Sequence, residues 1–131
     1  MYLLPAVVCH RRITDSDSIL MTDPIWIDRI INGKDWEIRA VPCWDKVGKS
    51  IFLAGNGTKA VSARAVVVAC HGPLTEDQWR AARSRHMVKG PRRYGARTFA
   101  WELTSIERIH PPIKIKRTRG AQIWQTGPGR D

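Results

Sequence analysis

The run Asn32-Gly33-Lys34-Asp35-Trp36-Glu37-Ile38-Arg39 constrains this chain most, because it turns a helix directly into a strand. Upstream, Thr22 or Asp23 is placed to cap a helix over Pro24–Ile31, with Pro24 at the first position, where a missing N–H costs nothing. Asn32–Gly33 ends that helix, since glycine accepts the left-handed conformation just past a helix terminus. Asp35–Val41 then reads as a strand. Along it Asp35, Glu37 and Arg39 share one face, and Trp36 and Ile38 the other. Lys34 sits at the junction, beside helix C-terminal carbonyls that favour a cation. Such a row of alternating charge suits a polar ligand. It suits equally an ion-pair ladder satisfied within the protein.

Around this junction, short strands are interrupted by helical stretches. Ser18–Met21 reads as a strand, and Ser50–Ala54 as another before the tight turn Gly55-Asn56-Gly57. Lys59–Cys70 is rich in Val and reads as a central strand buried on both faces. Thr75 and Gln78 form a capping box for a helix reaching Met87, with Leu74 and Trp79 at the staple positions and Glu76 and Asp77 in the first turn. After the Gly-, Pro- and Arg-rich loop Lys89–Arg97, Thr98–His110 and Ile113–Trp124 read as closing strands, with a bulge at Gly120. The pattern predicts an α+β fold, a β-barrel of five or six strands with two or three flanking helices, and not a doubly wound sheet. A length of 131 residues suits one domain, placed at 18–125, with 1–17 a flexible lead-in and 126–131 a flexible tail.

Charge narrows the function. Residues 1–79 hold nine basic and nine acidic side chains, whereas residues 80–119 hold twelve basic ones against Glu102 and Glu107, the whole net charge of +10. A positive field confined to under a third of the chain attracts polyanions, and arginine matches phosphate geometry better than lysine does. The alternative is a solvated face serving solubility. No apolar run reaches the roughly 20 residues that span a bilayer, and Tyr2–Cys9 lacks the flanks of a signal peptide. Three cysteines without CxxC spacing give no disulfide framework. The expectation is an intracellular protein, cytoplasmic rather than nuclear, with no membrane partner.

A helix followed by Gly33, Lys34, Glu37 and Arg39 at these spacings resembles the signature of the ASCH family, within the PUA-like superfamily. The Gly-turn hairpin Leu53–Thr58, the Val-rich strand before a Leu-Thr-Glu helix, the Phe99-Ala100-Trp101-Glu102-Leu103 strand and Gly120-Ala121-Gln122-Ile123-Trp124 follow in similar order. The likeness spans about residues 18–125, with Asp35 standing where Thr is usual. It implies a PUA-like β-barrel whose cleft receives RNA or a modified nucleotide. Gly33, Lys34, Glu37, Arg39 and Tyr94 would form the ligand site, Lys34 and Arg39 meeting phosphate or carbonyl oxygens. Arg83, Arg85, Arg92, Arg93, Lys116 and Arg117 would track backbone phosphates. Trp79, Tyr94 and Trp101 are stacking candidates, with Tyr94 the best placed because the two tryptophans fit a core.

Catalysis is the second reading. Some ASCH-like proteins are amidohydrolases of acylated cytidines using a Lys, a Thr and a Glu. Lys34 matches the Lys, Glu37 stands at the Thr position, and the third residue is unplaced, with Glu76 and Glu102 as candidates. A Lys34–Glu37 pair retains acid–base capacity if burial lowers the lysine pKa. Other members are linked to RNA cleavage, for which His71, His86 or His110 could supply a base. A third reading is a protein-binding adaptor. Cys70 and His71, adjacent on a strand, point to opposite faces, and Cys43 reads as buried. Cys9, His10, Cys70 and His71 match no zinc spacing, and no Walker A or GxGxxG run is present, so neither metal nor cofactor is expected.

Overall fold

The computed structural model describes residues 12–117 and 123–129, together with the backbone of Ala6–Val8. In chain order the elements are β1 (Ala6–Val8), β2 (Ser18–Thr22), α1 (Pro24–Ile31), β3 (Trp36–Arg39), β4 (Ser50–Gly55) and β5 (Ala60–His71). They continue with α2 (Glu76–Ala81), α3 (Arg83–His86), β6 (Phe99–Lys114) and β7 (Trp124–Thr126). The strands form one sheet, with β1-β6-β5-β4-β2-β7 as a six-strand path and β3 also pairing with β6. The sheet curls into a half-barrel, the expected α+β arrangement. Ala6–Val8, inside the stretch read as a lead-in, pairs in parallel with Glu107–Ile109.

β6 organises the molecule. One edge follows β5; the other pairs with β3 at Phe99–Glu102 and then with β1 at Glu107–Ile109. Ser105, at φ 51°, lies where the partner changes, and the β5 register shifts opposite it. Pro111 and Pro112 do not end the strand as expected. They fall between the Ala63↔Arg108 and Val61↔Ile113 pairs, in a bulge where no ladder N–H is required. Gly120 lies outside the described residues. β5 also departs from expectation. Val61, Ala63, Ala65 and Val67 are buried while the residues between them are partly exposed, and Val68 is 43% exposed. An antiparallel strand covered on one face alternates in this way, so its valines do not signal two-sided burial.

The Pro24–Ile31 helix forms with the expected bounds, Asp23 accepting the Ile25 N–H. The helix expected up to Met87 is broken into α2 and α3 at Ala82. His86 is the cause: its Nε2 lies 2.8 Å from the Trp79 carbonyl, an acceptor that a continuous helix would give to the Arg83 N–H. Both rings are fully buried and stack at 3.8 Å. Burial lowers the His86 pKa, keeping the ring neutral so that Nδ1 can accept from the Val88 N–H at 2.9 Å. The Thr75–Gln78 capping box forms as read.

Candidate functional site

The end of α1 delivers Lys34 into the interior. Gly33 takes φ 121°, its N–H meets the Ile30 carbonyl, and the Lys34 N–H meets the Arg29 carbonyl at 2.8 Å. These two bonds close the helix in a Schellman turn. Lys34 is then 1% exposed, not the exposed junction residue that its polarity suggests, and Glu37 is 2% exposed. Lys34 Nζ lies 3.4 Å from Glu37 Oε1 and donates to the Trp36 carbonyl. Arg39 donates to Glu37 Oε2 at 3.0 Å and to the Met21 carbonyl at 3.2 Å. The Thr22 hydroxyl donates to the same Oε2 at 3.0 Å. Both Glu37 oxygens are therefore occupied by donors of this chain. Burial pushes the Lys34 ammonium below its usual pKa, and Glu37 opposes that shift.

This network forms one wall of a cleft of about 200 Å³, with Trp26, Arg93 and Tyr94 among the other lining residues. Lys34 Nζ lies 5.3 Å from the centre of the Trp26 ring, and the Arg93 guanidinium lies 5.6 Å from Trp26 and 5.7 Å from Tyr94. Sequence reasoning thus assembles Lys34, Glu37, Arg39 and Tyr94 correctly on one cleft. It missed Thr22, read only as a helix cap, and Trp26. Helical spacing offered a signal for Trp26, since it falls outside the apolar stripe of Ile27, Ile30 and Ile31.

Other candidates lie elsewhere. Asp35 does not share the Glu37 face; it binds Arg85 at 2.8 Å, because the strand alternation begins only at Trp36. Arg85 also meets Glu102 at 3.3 Å and lies over the Trp36 ring. Arg83 donates to the Val88 and Gly90 carbonyls, and Arg92 to Glu76 and the Leu74 carbonyl. Of the arginines expected to follow phosphates, these three are engaged within the fold, and Arg93 lines the cleft. Lys116 and Arg117 line a separate groove with Lys59 and Lys114. Neither Glu76 nor Glu102 joins Lys34. His71 pairs with Glu102 at 2.7 Å, and His110 borders a pocket beside α1. Trp79 and Trp101 are fully buried core.

The Cys43 N–H lies 3.3 Å from the Cys70 sulfur, and burial raises the Cys43 thiol pKa, which disfavours its nucleophilic form. Among the described residues no cluster of three or more His, Cys, Asp or Glu could hold a metal; Cys9 and His10 lie outside them. No helix among the described residues is long and apolar enough to cross a membrane.

A curled half-barrel with helices packed at its motif strand defines an α+β, PUA-like class of protein. No protein-family model matches this sequence, and no curated protein sequence does. Solved structures match well. A serine-to-alanine mutant of an ASCH protein from Zymomonas mobilis superposes with a TM-score of 0.67 at 16% identity, over 86% of this chain and 88% of that one. A second crystal structure of ASCH from Zymomonas mobilis gives 0.64 at 16% identity, over 77% of this chain and 75% of that one. A tyrosine-to-phenylalanine mutant gives 0.61 at 18%, covering 76% of each chain. The fold of this chain is ASCH-like.

Proposed function

We propose that the cleft binds a nucleotide-like ligand. One observation carries this reading: Glu37 has no acceptor capacity left unengaged, while Lys34, Arg39 and Arg93 line the same space beside two aromatic rings. A site rich in donors, with π-faces and little acceptor capacity of its own, favours a planar ligand bearing carbonyl or phosphate oxygens. A volume of about 200 Å³ suits a single base or nucleotide and excludes a duplex. The test is a thermal-shift screen across nucleosides, nucleotides and short RNAs, with affinities measured by calorimetry. Removing one stacking ring costs about 1–3 kcal/mol, so Tyr94→Ala should weaken binding roughly 5- to 150-fold. If no member of the panel raises the melting temperature, the reading fails.

A hydrolase of modified nucleosides or of RNA is the second reading, favoured by a specific arrangement. The Thr22 hydroxyl points to Glu37, and Lys34 beside it has a lowered pKa. The hydroxyl absent from the motif is thus supplied by the end of β2, with Glu37 in position to take its proton. Thr22→Val should abolish turnover and keep binding. If no panel member is turned over by the wild-type protein, binding alone remains.

A further inference from the structure

The cations that line an acid-free surface are not in the arginine-rich loop but at the far end of β6. Lys59, Lys114, Lys116 and Arg117 line a groove of about 850 Å³, and none of its eight lining residues is acidic. Ile115 is turned inward, 6% exposed, so Lys114 and Lys116 point outward on either side of it. Lys59 is held against them because its carbonyl accepts the Ile115 N–H at 2.9 Å. The groove adjoins the cleft through the β4–β5 turn. Asn56 lines the cleft, whereas Thr58 and Lys59 line the groove. Three residues separate Asn56 from Lys59, at most about 11 Å.

We propose that this groove carries the sugar-phosphate backbone of a single-stranded nucleic acid, one nucleotide of which occupies the cleft. The inference rests on the cleft reading and extends it from a free nucleotide to an oligomer. Backbone tracking needs a concave run of cations without competing carboxylates, and lysines serve as flexible point charges for it. Base recognition stays in the cleft. The partner is therefore selected by its phosphates along the groove and by one base at its end.

The experiment compares a nucleoside monophosphate with RNA and DNA oligomers of about 6 nucleotides and with poly-glutamate of matched charge. Each is titrated against the wild-type chain and against Lys59→Ala/Lys114→Ala/Lys116→Ala/Arg117→Ala. The wild type should bind an oligomer at least tenfold more tightly than the monophosphate. The quadruple variant should lose that advantage, keep its monophosphate affinity, and show a log–log salt slope smaller by about 2–3. Binding of RNA and DNA alike supports backbone recognition; preference for RNA supports it with an added 2′-hydroxyl contact. If the monophosphate binds but the oligomer binds no tighter, or the variant behaves as wild type, the groove proposal is overturned and the cleft reading stands. Poly-glutamate binding as tightly as the oligomers would also overturn it, in favour of an acidic protein partner. If neither monophosphate nor oligomer binds, both readings fall.

Discussion

On one side of β3, Lys34, Glu37, Arg39 and Thr22 form a network whose acid and lysine are almost fully buried and which opens onto a cleft. On the other side, Asp35, Arg85, Glu102 and His71 form a chain of ion pairs around Trp36, with side chains 24–40% exposed. The two sides use the same residue types, within a few residues of the same strand. They differ in what water does for them. The exposed chain is solvated, and losing one member returns the others to water at little cost. The buried network has no such recourse, so each charge depends on its neighbours.

The sharpest way to break this comparison is to remove the acid from each side. Glu37→Ala leaves Lys34 and Arg39 facing one another without a counter-charge, and should destabilise the fold by about 3–5 kcal/mol. Glu102→Ala should cost roughly 1 kcal/mol or less, since Arg85 keeps Asp35 and His71 keeps its stacking on Trp36. Urea unfolding midpoints at neutral pH measure both. Equal losses would mean that burial does not separate the two sides.

Titration sharpens the same contrast at opposite ends of the pH scale. The hydrogen bond from His71, then Arg85, lowers the Glu102 pKa below its usual 4.5. Its contribution is present above that value and is lost as pH falls through the depressed one. Lys34 is lowered from 10.5 by burial. The folded state then sheds that proton before the unfolded state does, so stability attributable to Lys34 rises from its depressed pKa up to 10.5. The wild-type minus Lys34→Met difference cancels other alkaline groups such as Cys43 and should grow across that window. The wild-type minus Glu102→Gln difference should shrink below pH 4.5. A flat difference in either series removes that side from the argument.

These contrasts show where sequence reading stops. The bounds of α1, the capping box at Thr75 and the reversal at Gly33 were legible because each is decided by neighbouring residues. The convergence of Lys34, Glu37 and Arg39 followed from strand period and one glycine turn. The burial of Lys34 was not legible, because it depends on the Trp26 ring and on β2, whose Thr22 reaches Glu37 across 15 positions. The basic segment misled for a related reason. A charge count records arginines but not their acceptors, and those of Arg85 and Arg92 include Asp35, Glu76 and Glu102 from other elements. The lysines at the end of β6 looked like the lesser part of that segment, yet they line the acid-free groove.

The smallest expected effect belongs to Asp35→Ala. Asp35 makes the best-formed ion pair of the exposed side, two carboxylate oxygens meeting Arg85 at 2.8–3.2 Å. Geometry alone would rank it as important. Exposure argues otherwise, because Asp35 and Arg85 side chains are 35% and 40% exposed and both ions are largely hydrated after separation. Arg85 also retains Glu102 and its position over Trp36, 4.8 Å from the ring centre. The substitution should therefore cost under about 1 kcal/mol, and half or more of that should vanish in 1 M salt, where screening shortens to about 3 Å. Ligand affinity in the cleft should stay within about twofold of wild type, since Asp35 contacts none of the cleft side chains. A loss above 2 kcal/mol, or a salt-independent one, would show that the exposed side is as interdependent as the buried one. A tenfold fall in affinity would place Asp35 in the binding network despite its orientation.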